Sequence, residues 1–281
     1  MKVEKPLSIY LHVPFCESRC HYCDFYSNTD CSAELKNKYT KALINTLAAP
    51  ISRDEYVIKS VYFGGGTPAL LGEANISNVL EKIYKNYTLD KNCEITLETN
   101  PYSAGKINFN LLSKNGINRV SVGIQSLHDD VLMEIGRSHD RVTALSCLNM
   151  LCETDIERIS ADMMFGLPEQ NIEMLLEDLE IITAYGNRIG HISLYDLKLE
   201  PGTRMYERRN MFSFPVDDEE ADMYFAGFYP STNHFRKSTI PFFQFISPKR
   251  TITASCHLYL PGPAGIYVVR HPQRTEQVQR Q

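Results

Sequence analysis

Three of the chain's eight cysteines fall within eight residues, in the run Cys16-Glu-Ser-Arg-Cys20-His-Tyr-Cys23. Soft thiolate donors bunched in this way select zinc or iron–sulfur clusters. A cubane held through three cysteines leaves one iron without a protein ligand, and that open iron is a place for chemistry. An electron-transfer ferredoxin would need a fourth cysteine in the pattern C-x2-C-x2-C-x3-C-P, which nothing here supplies, since Cys31 stands eight residues beyond Cys23 without a paired cysteine. The alternative is a Cys3His zinc site using His12 or His21, although no second knuckle completes its tetrahedron. Cys93, Cys147, Cys152 and Cys256 read as core residues or free thiols of a reducing compartment.

The elements that must position this cluster alternate. Ser8–Val13, Val57–Phe63, Cys93–Thr99, Asn118–Gln125, Ile156–Met163 and His191–Leu197 read as strands, the cysteines following the first. Helical patterns run at about 33–48, 74–86, 104–115, 128–136, 140–153 and 171–185, each long enough for a right-handed parallel crossover. Strand phase then separates a barrel from an open sheet. Ile95 and Leu97 oppose Thr96 and Glu98; Val120, Val122 and Ile124 oppose Ser121, Gly123 and Gln125; Ile159 and Ala161 oppose Ser160 and Asp162. One face is apolar and packs under helices, while the other is small or polar and looks inward, where a closed eight-stranded barrel would carry bulky branched side chains. An incompletely closed six-stranded α/β barrel with a ligand-filled interior is the expected fold. Glu98, Gln125 and Asp162 then lie at the C-terminal ends of their strands, the face where barrel chemistry sits.

The 281 residues, 43% hydrophobic and 22% charged, exclude disorder and disulfide-dense scaffolds. No apolar run approaches the length of a transmembrane helix, and Met1 to Cys16 alternates apolar with polar residues, so a cytoplasmic location is expected. The net charge of −5 hides an asymmetry, because residues 229–281 carry 7 Lys+Arg against 1 Asp+Glu and 6 of the 14 prolines. We therefore expect a core on residues 1–228 and a basic, proline-richer segment on 229–281. The acidic core argues against nucleic acid as a partner.

The spacing C-x3-C-x2-C, with Tyr22 just before the last cysteine, resembles the radical S-adenosylmethionine (SAM) enzymes. Tyr10-Leu-His-Val-Pro-Phe15, Gly64-Gly-Gly-Thr-Pro68, Leu97-Glu-Thr-Asn-Pro101, Gly123-Ile-Gln-Ser126, Gly136-Arg137 and Asp162-Met-Met-Phe-Gly-Leu-Pro168 follow in order. Together they resemble the oxygen-independent coproporphyrinogen III oxidases and, more closely, the related heme chaperones. The resemblance implies a partial TIM barrel, (β/α)6, with a 4Fe–4S cluster on Cys16, Cys20 and Cys23. Its open iron chelates SAM, and reductive C–S cleavage yields a 5′-deoxyadenosyl radical, which requires an electron donor. Tyr10, Tyr22, Gly65, Gly66, Thr67, Glu98, Gln125, Arg137 and Asp162 match cofactor-binding positions. A surface salt bridge to Asp140 is the lesser alternative for Arg137, and His12 and His21 read as structural.

Two features separate the branches. The oxidases carry a further cysteine two positions after the triad and an N-terminal extension, whereas here position 25 is Phe25 and the chain starts nine residues before Tyr10. Both imply the chaperone branch, which binds heme and delivers it to respiratory proteins; the alternative is oxidative decarboxylation of porphyrinogen propionates. That branch continues into a C-terminal domain with a His-Asn-x-x-Tyr-Trp motif, and this chain has no Trp. From Tyr229 the pattern is lost, as a truncation or frame change would produce. His234, His257 with Tyr259, and His271 are the candidate heme ligands of this segment.

Overall fold

Runs of β-branched and aromatic residues alternating with amphipathic helices build one sheet in the computed structural model, which describes residues 5–48, 56–228, 242–246 and 266–270. Six strands, β1 (Lys5–Val13), β2 (Tyr56–Gly65), β3 (Leu89–Thr99), β4 (Arg119–Gln125), β5 (Arg158–Phe165) and β6 (Ile189–Asp196), pair in chain order and all in parallel. Strands that neighbour one another in sequence, joined by right-handed crossovers, keep their helices on one face of the sheet and leave the other free to curl inward. This is the expected partial barrel. The sheet does not close, and two short strands read as structureless in the sequence lie at its edges: β7 (Phe242–Ile246) parallel to β6, and β8 (Ile266–Arg270) antiparallel to β1. Each is a five-residue run without alternation, so it carries no period for a sequence reading to detect.

The described helices are α1 (Ala33–Thr46), α2 (Glu73–Asn86), α3 (Pro101–Ala104), α4 (Phe109–Lys114), α5 (Asp129–Glu134), α6 (Arg141–Cys152), α7 (Ile172–Thr183), α8 (Arg204–Glu207) and α9 (Asp217–Phe228). In α2 the buried positions Ile76, Val79, Leu80 and Ile83 follow the helical period; α6 repeats the pattern with Ala144, Cys147, Leu148 and Leu151. They pack against the outward row Ile95, Leu97, Val120, Val122 and Ile159 in a single core. Each fully buried Leu, Ile or Val contributes roughly 1.5–3 kcal/mol. The helix expected over 104–115 is two. Asn100 caps Pro101–Ala104 through Ser103 N–H, Asn108 caps Phe109–Lys114 through Leu111 N–H, and Gly105 lies between them. The helices α8 and α9 were not expected. No helix among the described residues is long and apolar enough to cross a membrane.

On the inner face the registers place Ser8 beside Ser60, Tyr10 beside Tyr62, Glu98 beside Ser121, and Asp162 beside Ser193. The interior is polar, as the strand phase requires. A second apolar cluster of Val131, Leu132, Ile135, Met164, Leu167 and Met205, joined by Tyr22 and Tyr195, covers part of the C-terminal rim.

Candidate functional site

The loop after β1 carries the three cysteines, is closed at its base and turns tightly within itself. Cys16 N–H donates to Asn28 O at 3.0 Å, and Cys23 N–H to Cys20 O at 3.3 Å. The glycine turn after β2 braces the loop from below: Gly66 N–H reaches Val13 O at 2.8 Å and Thr67 N–H reaches Phe15 O at 2.7 Å. A Cβ on Gly66 would stand 2.6 Å from Phe15 O and 2.9 Å from Cys16 Sγ, so only glycine fits. Thr67 Oγ1 lies 3.8 Å from Cys16 Sγ and accepts from Asn100 Nδ2 at 3.4 Å.

Burial pushes the Cys16 and Cys23 thiols above the usual range, and each is raised further by the neighbouring cysteines, so the thiols share one electrostatic environment. Among the described residues no three His, Cys, Asp or Glu side chains converge on a single metal ion. A cubane takes its thiolates on three separate irons. His12 has both ring nitrogens engaged, Nδ1 with Tyr10 OH at 3.2 Å and Nε2 with Tyr26 O at 3.1 Å, which removes it as a zinc ligand. His21 instead anchors the loop, its Nδ1 2.8 Å from Glu134 O.

Two carboxylates face the interior. Glu98 accepts from Tyr62 OH at 2.5 Å and from Gly65 N–H at 3.2 Å; burial outweighs these bonds and pushes it up to about 7. Asp162 accepts from Ser121 Oγ at 3.1 and 2.9 Å, and burial likewise pushes it up to about 6. Tyr10 stacks on Tyr62 with centroids 6.0 Å apart. The arrangement suits a ligand with cationic and hydroxyl groups, since a buried carboxylate gains most from a charged donor.

Across the interior, β4 ends at Gln125, whose φ of 68° is left-handed. Its Oε1 is buried without a hydrogen-bond partner, and so is Arg137 Nε. Buried polar atoms in folded proteins are nearly always paired, and these two are among six side-chain atoms without a partner among the described residues, so a ligand on this rim would find both unengaged. Arg137 Nη2 donates to Gly123 O and Nη1 to Cys20 Sγ at 3.4 Å. The alternative of a salt bridge from Arg137 to Asp140 is not formed: Asp140 caps α6 through Thr143 N–H, and the guanidinium turns inward to the cysteine loop. Burial raises Tyr22, which lies against Arg137 and Cys20.

The structure therefore gathers Tyr10, Gly65, Gly66, Thr67, Glu98, Gln125, Arg137 and Asp162 around the C-terminal rim beside Cys16, Cys20, Tyr22 and Cys23. Sequence reasoning missed Tyr62 and Ser193, and it placed Ser121 on the inner face without assigning it to the site. It also missed Asp178, a buried carboxylate within the apolar stripe of α7 that accepts from Ser126 Oγ at 2.8 Å and Leu127 N–H at 3.0 Å and so holds the turn after Gln125. His234, His257, Tyr259 and His271 lie outside the described residues.

Residues 10–182 match the family model of the Radical SAM superfamily. The chain is 36% identical over 227 residues to the heme chaperone HemW of Haemophilus influenzae, covering 79% of this chain and 58% of that protein. It is 38% identical over 225 residues to radical S-adenosyl methionine domain-containing protein 1, mitochondrial, of Danio rerio, covering 77% and 49%. The chain thus spans about half the length of the curated relatives it matches. Among solved structures, the coproporphyrinogen III oxidase HemN of Escherichia coli superposes with a TM-score of 0.70 at 24% identity, covering 81% of this chain and 53% of that one. A queuine lyase from Clostridium spiroforme superposes with a TM-score of 0.51 at 19% identity, covering 87% and 92%. These two likenesses speak for the fold, and the family match, spanning both the cysteine loop and the polar strand ends, settles the affiliation: the chain belongs to the radical SAM superfamily.

Proposed function

We propose that Cys16, Cys20 and Cys23 hold a 4Fe–4S cluster, that the rim above the barrel holds SAM, and that the protein serves as a heme chaperone passing heme to respiratory proteins. The observation that carries the cofactor reading is the pair of buried, unpartnered atoms, Gln125 Oε1 and Arg137 Nε, facing a rim that also carries two raised carboxylates. SAM offers what these groups lack: a carboxylate for Arg137, ribose hydroxyls for Gln125 and Asp162, and an ammonium for Glu98. When bound and reduced by a donor protein, the cluster supplies one electron to the SAM sulfonium. Tyr10 and Tyr62 wall the interior against water, and the Gly65–Thr67 turn fixes the distance between the cysteine loop and Glu98.

The chaperone role is supported by the relatives named heme chaperone HemW at 34–36% identity and by Phe25 at the position of the oxidases' further cysteine. We place the radical SAM core barrel on residues 1–228, with 229–281 as a further segment that adds the short edge strands β7 and β8 to its sheet. A cytoplasmic site of action is supported by the thiols, all of those described being free. The oxidase is the second reading, with which the fold likeness to HemN is compatible.

Anaerobic preparation of the full chain tests the proposal. Iron and sulfide should be present, and both should be lost together when Cys16, Cys20 and Cys23 are replaced by Ala; zinc in their place would overturn the cluster. Heme titration followed by its visible absorption should show saturable binding, and turnover of coproporphyrinogen to the divinyl product with SAM and a reductant would transfer the assignment to the oxidase.

A further inference from the structure

The side of the barrel that bears Gly136 and Arg137 is fastened to the cysteine loop more tightly than SAM binding alone requires. His21 N–H donates to Ile135 O at 2.9 Å, His21 Nδ1 lies 2.8 Å from Glu134 O, and Met205 N–H donates to His21 O at 2.8 Å. Gly136 takes a φ of 73°, and a Cβ there would stand 2.7 Å from His21 Cδ2, so the imidazole rests directly on the glycine backbone. This clamp sets the next residue, Arg137, against the loop. Its Nη1 donates to Cys20 Sγ at 3.4 Å while Nη2 is held by Gly123 O. Tyr22 also lies beside both Arg137 and Cys20.

We infer that Arg137, assisted by Tyr22, sets the reduction potential of the cluster by donating hydrogen bonds to the Cys20 thiolate. The inference rests on the cluster assignment proposed above and assigns Arg137 a role toward the protein's own sulfur, in addition to any contact with SAM. Reduction adds one negative charge to the cluster, part of which falls on the ligand sulfurs. A cationic donor on one of those sulfurs stabilises the reduced form more than the oxidised form and raises the potential. Two guanidinium nitrogens already donate to protein acceptors, Cys20 Sγ and Gly123 O, and only Nε lacks one. The geometry is therefore that of a residue that touches the cluster ligand first and offers its remaining donor to whatever binds on the rim.

The test is a potentiometric titration of the reconstituted full chain, without SAM, followed by electron paramagnetic resonance. Iron and sulfide are counted first, so that a wild-type protein without a cluster refutes the cofactor assignment itself and is distinguishable from a failure of the tuning role. At a fixed potential Arg137→Gln should lower the ratio of reduced to oxidised cluster about tenfold, which for one electron is about 59 mV. Arg137→Lys, which keeps the charge on a different stem, should recover part of that loss, and Tyr22→Phe should lower the ratio by a smaller factor of about three. If Arg137→Gln does not load a cluster, Tyr22→Phe decides the matter, being a change of one exchangeable hydroxyl. Wild-type potentials in the cluster-loaded variants would overturn the inference. So would a shift that appears only after SAM is added, because the effect would then run through the ligand and not through Cys20.

Discussion

Glu98 is the residue whose titration reports most directly on the site. In the ligand-free protein burial raises its carboxyl from 4.5 to about 7, against the opposing bonds from Tyr62 and Gly65. A displacement of this size corresponds to roughly 3 kcal/mol at about 1.36 kcal/mol per unit. The sign follows from proton counting: between pH 4.5 and about 7 the folded protein keeps a proton that the unfolded chain has released, so stability falls as pH rises through that window and levels off above it. Glu98→Gln removes the titration while keeping the size and the acceptor for Tyr62. Urea denaturation at pH 5 and pH 8 should show the variant gaining on wild type by up to roughly 3 kcal/mol at the higher pH. Asp162 is raised in the same direction, so the difference between the two proteins, and not the slope of either, is the quantity to read. SAM should behave in the opposite sense, because an ammonium favours the ionised carboxylate. Its affinity for wild type, measured by equilibrium dialysis, should weaken as pH falls below about 7. A wild-type-to-Gln stability difference that is the same at both pH values would refute the reasoning.

Asp178→Ala leaves the Ser126 hydroxyl and Leu127 N–H without their acceptor in a buried setting, which should cost about 3 kcal/mol in urea denaturation and also weaken SAM binding through Gln125. Gly66→Ala forces the cysteine loop away from Phe15 O and should lower iron content per chain while circular dichroism shows an intact fold. Leu179→Ala, on the buried face of α7, should cost about 2–5 kcal/mol without altering the iron count.

The fold was largely legible because its strands alternate cleanly. In β4, Val120, Val122 and Ile124 are wholly buried under helices while Ser121 and Gly123 line the interior, so a period-2 pattern carries the curvature of the sheet as well as its faces. Where a segment lacks a period, as in β7 and β8, the sequence holds no such signal and pairing with an edge is decided by tertiary context. The break between α3 and α4 was encoded, in Asn100-Pro101 and in Asn108, but the apolar pattern running across it reads as one helix when caps are weighed less than period.

The site was legible as far as its chemistry is written in residue type, and no farther. Cysteines at fixed spacing and carboxylates at strand ends declare themselves, since few structural roles call for them in those places. Arg137 is marked only through the family resemblance, because by residue type alone an arginine three residues before a helix cap serves a surface salt bridge as readily as a buried contact. Its direction depends on Gly136, which turns the chain with a positive φ, and on His21, which lies 115 residues earlier and fills the space over that glycine. The link between them exists only in three dimensions. His21 bonds Glu134 O from the cysteine loop, and that anchoring goes with a cation within hydrogen-bond reach of the Cys20 sulfur. The distinction between scaffold and chemistry therefore fails at this point in the fold: the residues that hold the loop in place also set the charge around it.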